Sequence, residues 1–192
     1  MLITRNLIFG SIFLTTFLNI NSSFAGDIWK QLAKGGYVVL IRHAYVMQGS
    51  TSGSPLVRDP SCKKERMLSA KGKNAAKILG QRFIKYKIPI SRVLHSPFCR
   101  TTDSAQYAFN RGVGVSYLSL LEILNSTESA KQTEKLNKII GSYKGKGNLV
   151  LVTHRPNISA ISFEQASYLD FIVLKPKGGN KYDEVGLVKF TK

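Results

Sequence analysis

The sequence is poor in the residues that build metal and redox centres. Its 192 residues include only two cysteines, three histidines and 11 acidic residues. The two cysteines are too far apart for a CxxC redox motif, and the chain contains no HExxH motif, cysteine quartet or Walker P-loop. These absences exclude the common zinc and nucleotide-binding motifs. We therefore expect a protein that uses no metal and no other cofactor.

Only the N-terminus carries a long apolar run. Arg5 gives it a basic start, residues 7–18 are mostly apolar, and residues 23–25 place small side chains where a signal peptidase reads. We predict a signal peptide over residues 1–25, followed by one domain over residues 26–192 in the periplasm or outside the cell. A retained membrane anchor is the alternative, although a spanning helix needs roughly 20 apolar residues.

Acidic residues are scarce relative to basic ones. The chain has 28 lysines and arginines, and its formal net charge is +17 at pH 7. Such a charge favours phosphates, an anionic membrane surface or nucleic acid as partners, although a solvated lysine coat would give the same value. We expect no nucleic-acid partner, because an exported protein rarely meets nucleic acid and no zinc-finger or RNP-type pattern is present.

The predicted export bears on the state of the two cysteines, Cys62 and Cys99. An oxidising compartment allows two cysteines to pair, so the sequence favours a structural disulfide between them. The alternative is two buried thiols, which pack as small apolar side chains.

The rest of the chain alternates between apolar strands and helical patterns. Residues 37–41 and 148–153 are apolar almost throughout, and residues 70–86 repeat apolar side chains at helical spacing. Such strands indicate a mostly parallel sheet that is covered on both faces. We predict an α/β three-layer sandwich with helices on both faces, in which residues 115–121 form another strand and residues 171–190 a closing hairpin.

Basic and imidazole side chains follow three of these strands. Arg42 and His43 follow the first, His95 ends a second, and His154 and Arg155 follow a third. Ligands of parallel sheets sit outside the carboxyl ends of the strands, so these side chains should meet at one edge. Each also has an ordinary interpretation, because Arg42 could pair with a surface carboxylate and a histidine after a strand is often only packed.

Arg100 is expected at the same edge by another route. Ser96 and Pro97 have the pattern of an N-cap followed by proline at the first helical position. That pattern places Arg100 in the first helical turn, near backbone N–H groups that attract anions. Two arginines, two histidines and a helix start would form a pocket for a dianionic phosphoryl group.

Four segments, in this order, resemble the signature blocks of the histidine phosphatase superfamily, which has the phosphoglycerate mutase-like fold. They are LIRHA (40–44), RMLSAKGKNAAKILGQRF (66–83), LHSPFCRTTDSA (94–105) and LVTHRPNI (151–158). The likeness covers about residues 27–190. The N-terminal segment and the two cysteines extend it to exported bacterial members, including those similar to lipopolysaccharide core heptose phosphate phosphatases.

The resemblance implies a role for particular positions. His43 would be the nucleophile, forming a phosphohistidine that water then hydrolyses. Arg42, Arg100 and His154 would bind the phosphoryl oxygens, and His154 would also stabilise charge during transfer. These roles agree with the chemistry of the side chains, because a neutral imidazole is nucleophilic and phosphoryl transfer depends mainly on positioning and electrostatic stabilisation.

The general acid is the role with the fewest clues in the sequence. Glu122 is the nearest match to the glutamate that family members often place after the third strand, and an ordinary carboxylate at a helix start is the alternative. Asp59 and Glu128 are the next candidates. His95 stands where the family usually has a small polar residue, so it would either touch the rim of the pocket or serve the fold.

The implied activity is that of a metal-independent phosphomonoester hydrolase. Mutase-type relatives carry additional segments for which this chain has no room, so a phosphatase is preferred. Export and basic charge favour a small phosphorylated substrate or a phosphorylated glycolipid, with peripheral contact to the anionic envelope surface. The alternative is a non-catalytic cationic protein of the same fold that docks on anionic envelope polymers, although pure binding would not require the His43 nucleophile.

Overall fold

The computed structural model describes residues 21–191. Most of the predicted signal peptide, residues 1–20, lies outside the described residues, and cleavage after Ala25 stays a prediction. Within the described part of the chain, every helix is too short or too polar to cross a membrane.

The described residues form six strands and five α-helices. The strands are β1 (Val38–Arg42), β2 (Ile90–His95), β3 (Val113–Gly114), β4 (Asn148–Thr153), β5 (Phe171–Gly178) and β6 (Lys181–Val188). The helices are α1 (Asn21–Leu32), α2 (Ala70–Lys85), α3 (Cys99–Phe109), α4 (Ser126–Gly141) and α5 (Arg155–Ser159).

The strands form one mixed sheet in the order β3-β2-β4-β1-β5-β6. The first four of these strands run parallel to one another, β5 runs antiparallel to β1, and β6 runs antiparallel to β5. In the register, Arg42 pairs with Thr153, and His95 pairs with Val152. The carboxyl ends of β1, β2 and β4 therefore meet at one edge, as the sequence predicts.

Alternate residues of β1 face two separate hydrophobic layers, one on each side of the sheet. Val39 and Ile41 pack with the apolar sides of α1, α2 and α3. Val38 and Leu40 pack on the opposite face with α4 and α5. Because side chains alternate across a strand, one apolar strand supplies both layers. The predicted α/β three-layer sandwich with a mostly parallel sheet is confirmed.

Helix α2 is fixed at its start and along one face. The Ser69 side chain accepts a hydrogen bond from the Gly72 backbone N–H at 3.0 Å and thereby caps the N-terminus of the helix. A Cβ atom on Gly72 would lie 1.9 Å from the Tyr45 carbonyl oxygen. The glycine thus allows the helix to approach the segment that follows β1 closely.

The predicted strand over residues 115–121 is wrong. Only Val113–Gly114 pairs with the sheet, and the chain continues as two short 3₁₀ turns, Ser116–Leu118 and Leu121–Ile123. Side chains from the sheet edge bind this backbone instead of a neighbouring strand. Thr153 Oγ1 donates to the Leu118 carbonyl at 3.0 Å, and Asn157 Nδ2 donates to the Ser119 carbonyl at 2.7 Å.

Candidate active site

A cleft of about 260 Å³ opens at the carboxyl edge of β1 and β4. Four arginines, two histidines and a single carboxylate contribute to its lining, namely Arg42, Arg66, Arg100, Arg155, His43, His154 and Glu122. The structure thus brings together in one cleft all five residues to which the sequence assigns a phosphate-binding or catalytic role.

His43 lies at the floor of the cleft, directly after β1. Its backbone N–H donates to the Thr153 carbonyl at 3.0 Å, and its Nδ1 atom lies 2.9 Å from the Ala44 carbonyl oxygen. A carbonyl oxygen can only accept, so Nδ1 carries the proton and Nε2 keeps its lone pair. Burial and the nearby Arg100 lower the pKa of His43 to about 3. At neutral pH the cleft therefore presents a neutral imidazole with an unprotonated Nε2.

His154 is the second imidazole of the floor. Its Nδ1 atom lies 3.2 Å from Arg100 Nη2, and its Nε2 atom lies 2.8 Å from Ser96 Oγ. A guanidinium group only donates, so Nδ1 accepts from Arg100 and the Nε2–H group donates to Ser96. Burial, followed by the charges of His43 and the arginines, holds the pKa of His154 well below its usual value. The rings of His43 and His154 are 5.5 Å apart between centroids.

Arg42 and Arg100 place guanidinium groups beside the two histidines. Arg42 Nη1 donates to the Ala166 carbonyl at 3.0 Å, and its guanidinium carbon lies 4.1 Å from the centre of the Tyr168 ring. Arg100 is 3% exposed, and its Nη2 also donates to the Pro55 carbonyl at 2.9 Å. These contacts hold both groups through carbonyls and rings instead of carboxylates.

Each of these guanidinium groups keeps one buried donor without a partner, Nε of Arg42 and Nη1 of Arg100. Burial lowers the pKa of Arg42, and it lowers that of Arg100 to about 10, so both remain charged at neutral pH. Among the described residues, neither arginine forms an ion pair with a carboxylate. Two guanidinium charges without a carboxylate partner at one cleft would attract an oxyanion.

Helix α3 places Arg100 in its first turn, but it begins later than the sequence predicts. The helix starts at Cys99, with Phe98 at the N-cap position and no side-chain cap. The predicted N-cap role of Ser96 is therefore wrong. The Ser96 hydroxyl instead accepts from His154 across the sheet edge and from the Phe98 backbone N–H, which precedes the helix.

Glu65 is a buried carboxylate that no motif in the sequence marks, and it joins the loop of residues 47–68 to the start of α3. Glu65 is 2% exposed, and its Oε2 atom accepts from the Cys99 backbone N–H at 2.7 Å. Its Oε1 atom accepts from Arg58 Nη1 at 2.8 Å and from the Asp59 backbone N–H at 2.9 Å. Because Cys99 precedes Arg100, this carboxylate ties the loop to a residue of the cleft.

The two cysteines join the same two segments. Cys62 in the loop and Cys99 at the start of α3 form a disulfide in the structure, with Cα atoms 5.9 Å apart and a sequence separation of 37. The bridge and the Glu65 carboxylate meet at Cys99, one through its side chain and the other through its backbone.

Glu122 is the carboxylate among the residues that line the cleft. It lies exposed in the turn Leu121–Ile123, and its charge acts on Arg100. The other two candidates for the general acid serve local structure. Asp59 accepts hydrogen bonds from Ser61 within the loop, and Glu128 completes the capping box at the start of α4.

His95 is the strand-end histidine that does not line the cleft. It is buried beside Gly112 and Gly114, and its Nδ1 atom lies 2.7 Å from the Ser96 carbonyl oxygen. Of the two interpretations of His95, the structure supports a role in the fold. Conversely, Tyr168 lies at the site without any signal in the sequence, because it occupies an irregular segment with no motif.

No protein-family model matches the sequence, and a search of curated proteins finds no match. Solved structures do match the fold. The protein histidine phosphatase SixA complexed with tungstate has a TM-score of 0.57 and 13% identity over 80% of this chain and 97% of its own. A mycobacterial glucosyl-3-phosphoglycerate phosphatase complexed with VO3 has a TM-score of 0.53 and 13% identity over 73% of this chain and 92% of its own.

The ecdysone phosphate phosphatase of Bombix mori, complexed with tungstate, has a TM-score of 0.54 and 12% identity over 78% of this chain and 92% of its own. At such identities the likeness concerns the fold alone. The chain has the α/β fold of the histidine phosphatases, and the sequence-based prediction of that fold is confirmed.

Proposed function

We propose that the protein is a metal-independent phosphomonoester hydrolase that acts through a phosphohistidine on His43. One observation carries the proposal. The unprotonated Nε2 of His43 shares a cleft with the guanidinium groups of Arg42 and Arg100, which have no carboxylate partner among the described residues. A nucleophile and charge-stabilising donors are the two parts that phosphoryl transfer requires.

In the first step, His43 Nε2 attacks phosphorus while the bond between phosphorus and the leaving oxygen breaks. The ring gains positive charge as the N–P bond forms, and the Nδ1–H group can disperse that charge through its hydrogen bond to the Ala44 carbonyl. In the second step, water attacks phosphorus, the N–P bond breaks, and inorganic phosphate and neutral His43 are released. Arg42 and Arg100 would hold the phosphoryl oxygens throughout.

Proton transfer at the leaving group is assigned to Glu122. A protonated Glu122 would give its proton to the leaving oxygen in the first step, and its carboxylate would take one from water in the second. Its position supports the role, because it lines the cleft at the exposed side, where a leaving group departs. His154 would act through Arg100, because its Nδ1 accepts from the Arg100 guanidinium while its Nε2–H donates to Ser96, which orients Arg100 in the cleft.

The substrate is proposed to be a phosphate ester of the bacterial envelope, either small or part of a glycolipid. The signal-like residues 1–25, the net charge of +17 and the Cys62–Cys99 bridge support a periplasmic or secreted protein. They also support the exported branch similar to heptose phosphate phosphatases, and a basic surface that contacts the anionic envelope.

The proposal is tested by the turnover of an aryl phosphate in the presence of a chelator. The protein without residues 1–25 should hydrolyse nitrophenyl phosphate, and His43→Ala should abolish the activity without unfolding the protein. His95→Gln is the matched control, because it alters a buried histidine outside the cleft, and it should retain activity when folded. Quenched enzyme should carry a phosphate label that is stable in alkali and labile in acid, as expected for phosphohistidine.

Two outcomes would contradict the mechanism. Unchanged turnover in a folded His43→Ala protein would remove the nucleophile from the proposal. Tight phosphate binding without hydrolysis of any ester would favour the alternative, a cationic binding protein of the same fold.

A further inference from the structure

Two arginines of the cleft have no part in the proposed chemistry. Arg66 and Arg155, here called the outer arginines, line the same cleft as Arg42 and Arg100. Arg155 is exposed, Arg42 and Arg66 are half-buried, and Arg100 is buried. Arg66 Nε donates to the Gly53 carbonyl at 3.2 Å. Neither outer arginine forms an ion pair with a carboxylate within residues 21–191.

Each outer arginine lies near another arginine of the cleft, Arg155 near Arg42 and Arg66 near Arg100. Burial is the main cause that lowers the pKa of Arg42, and repulsion from Arg155 lowers it further. Burial likewise lowers the pKa of Arg100, and repulsion from Arg66 adds to it. Like charges are therefore held close together, although the carboxylates of Asp170 and Glu65 act on Arg42 and Arg100 in the opposite direction.

The charge of the lining exceeds what one phosphoryl group can balance. Four arginines and one carboxylate give the lining a net charge of +3 with both histidines neutral. When Glu122 is protonated as the proposed acid, the charge is +4. A phosphomonoester dianion balances two of these charges, and two remain on the outer arginines.

The positively charged side chains of the lining are all arginines. The chain has 19 lysines and nine arginines, yet four of the arginines and no lysine line the cleft. A solvated basic surface has no reason to contain arginine instead of lysine. A site for oxyanions favours arginine, because the planar guanidinium group binds phosphate and carboxylate through two donors.

The backbones of the outer arginines are fixed although their side chains reach solvent. Arg66 follows the buried Glu65, which accepts three hydrogen bonds. Arg155 follows the buried His154 and begins α5. Side chains on such anchored positions lose less freedom when they bind a ligand than side chains on a mobile loop.

We infer that the substrate carries a second oxyanion, a phosphate or a carboxylate, on its leaving group, and that Arg66 and Arg155 bind it. This inference rests on the proposed function and narrows its substrate class to esters with two anionic groups. Arg42 and Arg100 would hold the phosphoryl group that is transferred, and the outer arginines would hold the second anion.

The test measures binding in the full domain with His43→Ala, so that no probe is consumed. Glucose 1,6-bisphosphate should bind at least about tenfold more tightly than glucose 6-phosphate, beyond the factor of about two expected from having two equivalent phosphates. A second arm compares the binding affinities of 3-phosphoglycerate, which carries a carboxylate, and glycerol 3-phosphate, which does not. A preference in this arm identifies a carboxylate as an accepted second anion, and a preference in the first arm identifies a phosphate.

Variants assign the effect to the outer arginines. Adding Arg66→Gln and Arg155→Gln together should reduce the preference for the doubly anionic probe to about twofold and change monophosphate binding far less. Lys63→Gln is the matched control, because it removes one exposed positive charge from the same loop outside the cleft. It should leave the preference unchanged.

A preference of about twofold or less in both arms would overturn the inference. A preference that persists in the double variant would overturn the assignment to Arg66 and Arg155. Because these are binding measurements, a clear preference in a protein that hydrolyses nothing would refute the proposed function and still support the second anion site.

Discussion

The floor and the rim of the cleft are held by different means. The floor consists of Arg42, which ends β1, and of His43 and His154, which directly follow β1 and β4. The His43 N–H donates to the Thr153 carbonyl at 3.0 Å, and the Arg42 N–H donates to the Asp170 carbonyl at 3.1 Å. Strand pairing therefore extends to the floor residues themselves, and their positions follow from the sheet.

The rim consists of the loop of residues 47–68 and the turn Leu121–Ile123. The isolated bridge between Ser54 and Glu65 joins the loop to itself and not to the sheet. Its attachment depends on the Glu65 carboxylate and the disulfide at Cys99. The floor should therefore tolerate changes in the rim, and single side chains should decide the order of the rim.

The largest expected effect of a change in the rim comes from the disulfide. Replacing Cys62 and Cys99 together by serine should lower the free energy of unfolding by about 2 to 4 kcal/mol, because the open chain gains freedom in the unfolded state. Denaturant unfolding of the wild type with and without reductant measures the effect. The double variant is the control, since reductant should not alter its unfolding.

Thiol titration of the denatured wild type should find no free thiol before reduction. Two titratable thiols in protein isolated from an oxidising compartment, with an unfolding midpoint that reductant does not move, would contradict the rim's dependence on the bridge.

A smaller effect is expected from Glu65→Ala. The change leaves the buried Cys99 N–H without an acceptor, which costs about 1 to 3 kcal/mol of unfolding free energy. Asp183→Ala is the matched control, because it breaks the exposed ion pair with Lys177, where the cost should be about 0 to 1 kcal/mol. Equal losses in the two variants, measured by denaturant unfolding, would show that Glu65 does not hold the rim.

The same contrast explains what the sequence could predict. Strand periodicity and the residues after each strand predict the floor, because a parallel sheet brings strand ends together wherever the helices lead. Glu65 and Cys99 are 34 residues apart and meet through an irregular loop, so no periodic pattern announces their contact. The error at residues 115–121 has a related cause, because Thr153 and Asn157 side chains bind backbone that a strand would have paired.

The rim also carries the proposed general acid, and its contribution should depend on the leaving group. Nitrophenolate departs readily without a proton, whereas a sugar alkoxide requires one in the transition state. Glu122→Gln should therefore lower kcat/KM on a sugar phosphate at least about tenfold more than on nitrophenyl phosphate, which corresponds to about 1.4 kcal/mol. This is the smallest of the effects, because it is a difference between two losses.

The control for this last comparison is Glu128→Gln, the same change at a carboxylate that caps α4 outside the cleft. It should affect both substrates equally, if at all. Equal losses on the two substrates in Glu122→Gln would place the acid elsewhere and leave Glu122 as an ordinary carboxylate of the rim. An unequal loss with an intact phosphohistidine signal would separate the two regions by function. The floor would then transfer the phosphoryl group, and the rim would serve the leaving group.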